Sequence, residues 1–135
     1  MGRIFTIILF LASLGAQAAE TIVVSLPAGN DNPHESVWRD ALAAALRARG
    51  DTVATEVTLK GGRADIVTQT YAIEVDRAHK WHESIGQSAH YALMLHLKPA
   101  IALIGADKLT SDQLTALKAL CTRRRIEIFY ITTEG

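Results

Sequence analysis

A single cysteine, Cys121, has no second cysteine to pair with, so an internal disulfide is excluded. Excess charge is also missing: 14 basic residues stand against 14 acidic ones. A chain that grips nucleic acid by its phosphates usually carries a basic excess or patch. The only dense basic run here is Arg123-Arg124-Arg125, at the expected end of a helix, where cations suit the carbonyl end of the dipole. A solvated helix terminus is therefore a simpler reading of it than a phosphate site. Repeats, low-complexity tracts and internal linkers are absent. The apolar run Ile4 to Leu14 has eleven residues, short of the roughly 20 that cross a bilayer. No H-E-x-x-H zinc motif occurs.

That short run has a different meaning. Arg3 gives a positive start, and Ala16-Gln17-Ala18 is an A-x-A pattern of small residues. Together they predict a secretory signal peptide over 1–18 and an exported, periplasmic or secreted chain from 19 to 135 with no membrane attachment after cleavage. Losing Arg3 leaves 13 basic residues against 14 acidic, a net charge of −1. The remaining length of about 117 residues suits one modest core. Cys121 falls in an apolar stripe with Leu114, Leu117 and Leu120, which predicts burial rather than catalysis.

Patterning predicts a strand or an ordered N-terminal arm at Thr21 to Leu26, then a helix opened by Asn32 as N-cap with Pro33 in its first turn and stopped by Gly50. The face carrying Val37, Trp38, Ala41, Leu42, Ala45 and Ala48 should be buried. Three strands follow, at Thr52–Leu59, Ala64–Gln69 and Tyr71–Asp76, with a turn at Gly61-Gly62. A long helix over Ala78–His96 should break at Lys98-Pro99. Then come a doubly covered strand at Ala100–Gly105, a capped helix from Thr110 to Arg124 and a strand at Ile126–Thr132. After the first strand the order is α-β-β-β-α-β-α-β, an α/β (α+β) mixed sheet with helices on its faces.

The chemistry concentrates in the third of those strands. Alternation turns Ile73 and Val75 one way, and Glu74 and Asp76 the other. Two carboxylates on one face of an internal strand repel and are costly to desolvate. Asp65 begins the neighbouring strand and can join them. Three acids at a strand end suit a divalent cation such as Mg²⁺ or Mn²⁺; otherwise Asp76 caps the next helix and Glu74 sits on a solvated edge. On that helix Lys80, Gln87 and Tyr91 fall on one polar stripe beside an apolar one of Trp81, Ile85, Ala89 and Ala92. Lys80 lies close to Asp76 and Glu74, unless it merely pairs with Glu83 or Ser84. His79 and His82, at i and i+3, could share a metal, but spacing fixes no third ligand, so these and His90 and His96 read as surface residues.

Asp65-x8-Glu74-Val75-Asp76, followed by a helix with Gln87-x3-Tyr91, resembles the PD-(D/E)xK nuclease superfamily. The Gln-x3-Tyr helix is similar to that of its RecB-type branches, and the whole is similar to a small exported bacterial member. The resemblance spans about Pro33 to Thr132 and implies a restriction-endonuclease-like αβββαβ core with an extra helix and strand. It implies Mg²⁺ or Mn²⁺ held by Asp65, Glu74 and the Val75 carbonyl, with Glu35 as an additional metal-binding acid. Gln87 and Tyr91 would position phosphate or support the metal ligands. The family usually has lysine two residues after the strand acid; this chain has Asp76. Either Lys80 reaches back to fill that role, with Lys60 a weaker substitute, or the site no longer cleaves. The expectation is therefore a metal-dependent phosphodiesterase acting on nucleic acid outside the cytoplasm, with a homodimer left open. Its alternative is an inactive exported module that binds a metal, ligand or protein partner.

Overall fold

The computed structural model describes residues 19–30 and 32–134; the segment 1–18 read as a signal peptide lies outside them. Strand β1 (Ala19–Val24) leads to helix α1 (Glu35–Ala48) and a meander of β2 (Val53–Leu59), β3 (Gly62–Thr68) and β4 (Tyr71–Arg77). A 3₁₀ turn, Ala78–Lys80, runs into α2 (Trp81–Leu95), then β5 (Lys98–Ile104), α3 (Ser111–Arg124) and β6 (Glu127–Thr133). These form one six-stranded mixed sheet, ordered β1-β6-β5-β4-β3-β2. The β2–β3 and β3–β4 pairs are antiparallel; β4–β5, β5–β6 and β1–β6 are parallel. The expected αβββαβ order with an added helix and strand is present.

Helix α1 covers one face of the sheet, where Trp38, Leu42 and Leu46 pack on Ile73, Val75, Ala102 and Phe129. Helices α2 and α3 cover the other: Trp81, Ile85, Leu117 and Cys121 meet Ile101, Leu103 and Ile128. Central β4 is buried from Ala72 to Asp76, so its alternation presents Ile73 and Val75 to α1 and carries Glu74 and Asp76 on the opposite side. The expected burial of Cys121 holds, and desolvation pushes its thiol pKa up to about 11.

Several boundaries differ from expectation for local reasons. The cap of α1 is His34, not Asn32: its Nδ1 accepts the Ser36 N–H at 3.2 Å, and the helix begins at Glu35. Its buried face turns toward Ala43 and Leu46, leaving Ala48 exposed. Gly50 does stop the helix. Its φ of 103° lets Gly50 and Asp51 return their N–H groups to Arg47 and Leu46. Helix α2 ends at His96 in the left-handed region, before Pro99, which lies within β5. The capping box of α3, Thr110 with Gln113, forms as the sequence predicts.

Candidate functional site

Strands β3 and β4 pair at Ile66↔Ile73 and Val67↔Ala72, and no backbone pairing extends beyond Ile66 toward the end of β4. A side chain takes over there: the Val75 N–H donates to Asp65 Oδ2 at 2.9 Å. The neighbouring strand also changes face at this level. Val53 packs in the core under α1, whereas Val57 and Leu59 pack with Tyr91 and Ala92. Regular alternation would keep all three on one side. Between them Glu56 has a φ of 52°, a left-handed conformation rare for a residue of its type. The partner strand switches in step, Ile66 lying with the α1 core and Ala64 with Tyr91. Asp65 sits at that reversal, opposite Glu56 by the register of the pairs around it.

Glu74 is 5% exposed, and its Oε1 is buried with no hydrogen-bond partner. Burial first, then contact with the Asp65 carboxylate, pushes its pKa far above the ordinary carboxyl range. At neutral pH, with nothing else between them, Glu74 therefore keeps its proton beside Asp65. No basic side chain forms an ion pair with either residue among the described residues.

Asp76 belongs to a second group. Its Oδ2 accepts from Ser84 Oγ at 3.1 Å and its Oδ1 from the Arg77 N–H at 3.0 Å. Burial, and next the charge of Glu35, raise its pKa. Lys80 Nζ stands 3.4 Å from Glu35 Oε1 and 3.9 Å from Asp76 Oδ1. So Lys80 does approach Asp76, and Glu35 does arrive from α1, but they meet each other; Glu35 raises the Lys80 pKa. Lys60 is exposed in the turn between β2 and β3.

On α2 the predicted polar stripe does not hold. The buried face comprises Trp81, Ser84, Ile85, Ser88, Tyr91 and Ala92. Gln87 and Ala89 are exposed to either side of it. Tyr91 turns inward, only 7% exposed, and its Oη accepts the Arg63 N–H at 3.2 Å. Gly62 makes that contact feasible, because a methyl group there would overlap Tyr91 Oη. Tyr91 thus anchors the start of β3, two residues from Asp65, and is not open to solvent. The surface reading of the histidines fits: His82 stacks on Trp81 with ring centroids 3.5 Å apart.

A cavity of about 240 Å³ opens beside Asp65, Val75 and Glu35, walled by Arg39, Glu56 and Arg63. The two arginines and Glu56 carried no motif and were missed from sequence; Glu56 and Arg63 are charges set between uncharged residues on β2 and β3, whereas Arg39 lies on α1, where no local pattern ties it to them. Arg39 Nη1 lies 2.8 Å and Arg63 Nη2 3.6 Å from the same Glu56 oxygen.

Among the described residues no three His, Cys, Asp or Glu side chains converge as a metal cage. A hard divalent cation is nonetheless compatible with the orphaned Glu74 Oε1 against Asp65. Mg²⁺ often takes one or two carboxylates and fills its shell with water and substrate oxygens. The chain matches no protein-family model, no curated protein and no solved structure.

Proposed function

We propose that the protein is a metal-dependent phosphodiesterase of the PD-(D/E)xK type, exported to act on nucleic acid, with its centre at Asp65 and Glu74. The observation that carries this reading is the contact of two carboxyl groups where two strands part, with one buried oxygen, Glu74 Oε1, left without a hydrogen-bond partner. Such a pair is stable with a proton or a cation between them, and a cation site is the arrangement with a use. Asp65 and Glu74, with the Val75 carbonyl, would hold Mg²⁺ or Mn²⁺; Glu35 could join only by leaving Lys80. The metal would polarise a phosphodiester oxygen and acidify a water.

The chain's own residues then have separable tasks. Asp65 stays oriented because Val75 fixes one of its oxygens. Arg39 and Arg63 face the cavity and would neutralise the phosphate as charge builds on it. Lys80, held over Asp76 by Glu35, is the nearest replacement for the missing strand lysine. One observation favours the inactive alternative: two acids already engage Lys80, so it must be released before it can orient a water.

The deciding experiment is cleavage of single- and double-stranded DNA and RNA by the purified mature chain with Mg²⁺ or Mn²⁺. Cleavage that chelator and Glu74→Gln both abolish supports the enzyme. If no substrate is cut while Mn²⁺ still binds at Glu74, the binding module is correct; absence of both removes the metal reading.

A further inference from the structure

A second site lies at the opposite kind of address, where strands end rather than part. The parallel strands β4, β5 and β6 finish at Arg77, Ile104 and Thr133 on one side of the sheet. Open α/β sheets take ligands in the crevice beyond the carboxyl ends of their strands. Here that crevice is a cavity of about 650 Å³, within the roughly 300–1,000 Å³ of small-molecule sites. Gly105, with a φ of 74°, turns the chain after β5 and brings Lys108 to its wall.

The lining is selective in charge. Arg77, His79 and Lys108 face it against one acid, Asp107. Arg77 is fixed in place by Nη2 donating to the Pro33 carbonyl at 2.7 Å, which occupies one of its five N–H donors. The rest of the wall is mixed: Ile104, Leu109 and the ring of Trp38 give it apolar patches, and Asn32, Gln113 and Thr132 add polar groups. Trp38 is 8% exposed, and its Nε1–H is buried with no acceptor. Asp65, Glu74 and Glu35 take no part in this wall.

We propose that this cavity is a second binding site, for a small molecule the size of a nucleoside monophosphate, with a phosphate head and a flat body that has both an apolar face and polar edges. The head meets Arg77 at the end of β4 together with His79 and Lys108 from the turns after β4 and β5. The body lies against Trp38, Ile104 and Leu109. The inference is independent of the reaction proposed above, since it uses none of its acids and no metal.

Trp38 also supplies the assay. With Trp81→Phe it is the only indole in the chain. The mature Trp81→Phe protein is titrated with adenosine monophosphate, inorganic phosphate, adenosine, and an adenosine 5′-carboxylate, with chelator present. The expected result is a saturable change in Trp38 emission with the monophosphate, at least about tenfold tighter than with phosphate or adenosine alone. Arg77→Gln and Lys108→Gln should each weaken it about tenfold, the usual effect of one charge-assisted contact. If Trp81→Phe does not fold, calorimetry on the wild-type chain with the same four ligands reads the same affinities. No saturation at millimolar monophosphate overturns the site. Equal binding by the carboxylate overturns the phosphate head, and unchanged affinity in both variants overturns the assigned wall.

Discussion

The Asp65 carboxylate takes the backbone amide of Val75, at 2.9 Å, where the β3–β4 backbone pairing has ended. The same side chain is thus a structural acceptor and half of the proposed metal pair, and conservative substitution can separate the two. Asp65→Asn keeps an oxygen for Val75 and should change stability by less than about 1 kcal/mol, whereas Asp65→Ala strands a buried N–H at a cost of about 1–3 kcal/mol. Urea unfolding should rank wild type and Asn together above Ala. Any metal-dependent cleavage should be lost in both.

The Glu74 carboxyl gives the metal-free protein an unusual dependence on pH. Its pKa is raised in the folded state, so above the ordinary carboxyl value the unfolded chain has released a proton that the folded chain keeps. Folding then binds protons, and stability falls as pH rises, by at most about 1.4 kcal/mol per pH unit. Asp76, also raised, acts in the same direction. The urea midpoint in chelator should be higher at pH 5 than at pH 8. Glu74→Gln should flatten most of that slope, and Mg²⁺ should raise the pH 8 midpoint of the wild type alone. A midpoint that climbs from pH 5 to pH 8 would remove the neutral Glu74.

Tyr91 should behave as an anchor rather than as a phosphate ligand. Tyr91→Phe removes the acceptor of the Arg63 N–H and should cost about 1 kcal/mol of stability, with KM for any nucleic acid unchanged. Gly62→Ala forces a methyl group onto the phenol and should cost about 1–3 kcal/mol. Gln87→Ala, on the exposed side of α2, should be silent in both stability and activity. Thermal melts and initial rates on the three variants test this together.

Position 56 should invert the usual strand preference. Valine is a strong strand former and asparagine a weak one. At a φ of 52° the branched side chain is strained, and asparagine is tolerated while still offering an acceptor to Arg39. Glu56→Asn should therefore match or exceed wild-type stability by up to about 1 kcal/mol, and Glu56→Val should fall below it by at least that much. If Val proves the more stable, β2 is an ordinary strand there.

Where one physical rule governed, the sequence was readable. Alternation alone divided Ile73 and Val75 from Glu74 and Asp76, and the Thr110–Gln113 capping box marked α3 to the residue. The α2 stripe was misread because Gln87 and Tyr91, one turn apart, straddle the edge of the buried face: Tyr91 is carried inward beside Ser84 and Ser88, and Gln87 stays outside. Ser84 and Ser88 lie on that buried face of α2. They are buried because their hydroxyls bond locally, to Asp76 and to the Ile85 carbonyl, and their small size suits the sheet side of the helix. Glu35 was named only through the family resemblance, and its bond to Lys80 depends on α1 packing across β4, which no local pattern encodes.

The parallel pairing of β1 with β6 also bears on the order in which the protein can be made. Every residue from Ala19 to Val24 finds its partner between Ile128 and Thr133, more than a hundred positions later. During synthesis the first strand must wait, unpaired, until the last is complete. Contacts so distant along the chain slow folding, and a nascent chain stays open until then. For the export proposed above, in which the chain would cross a membrane before it folds, that delay is an advantage.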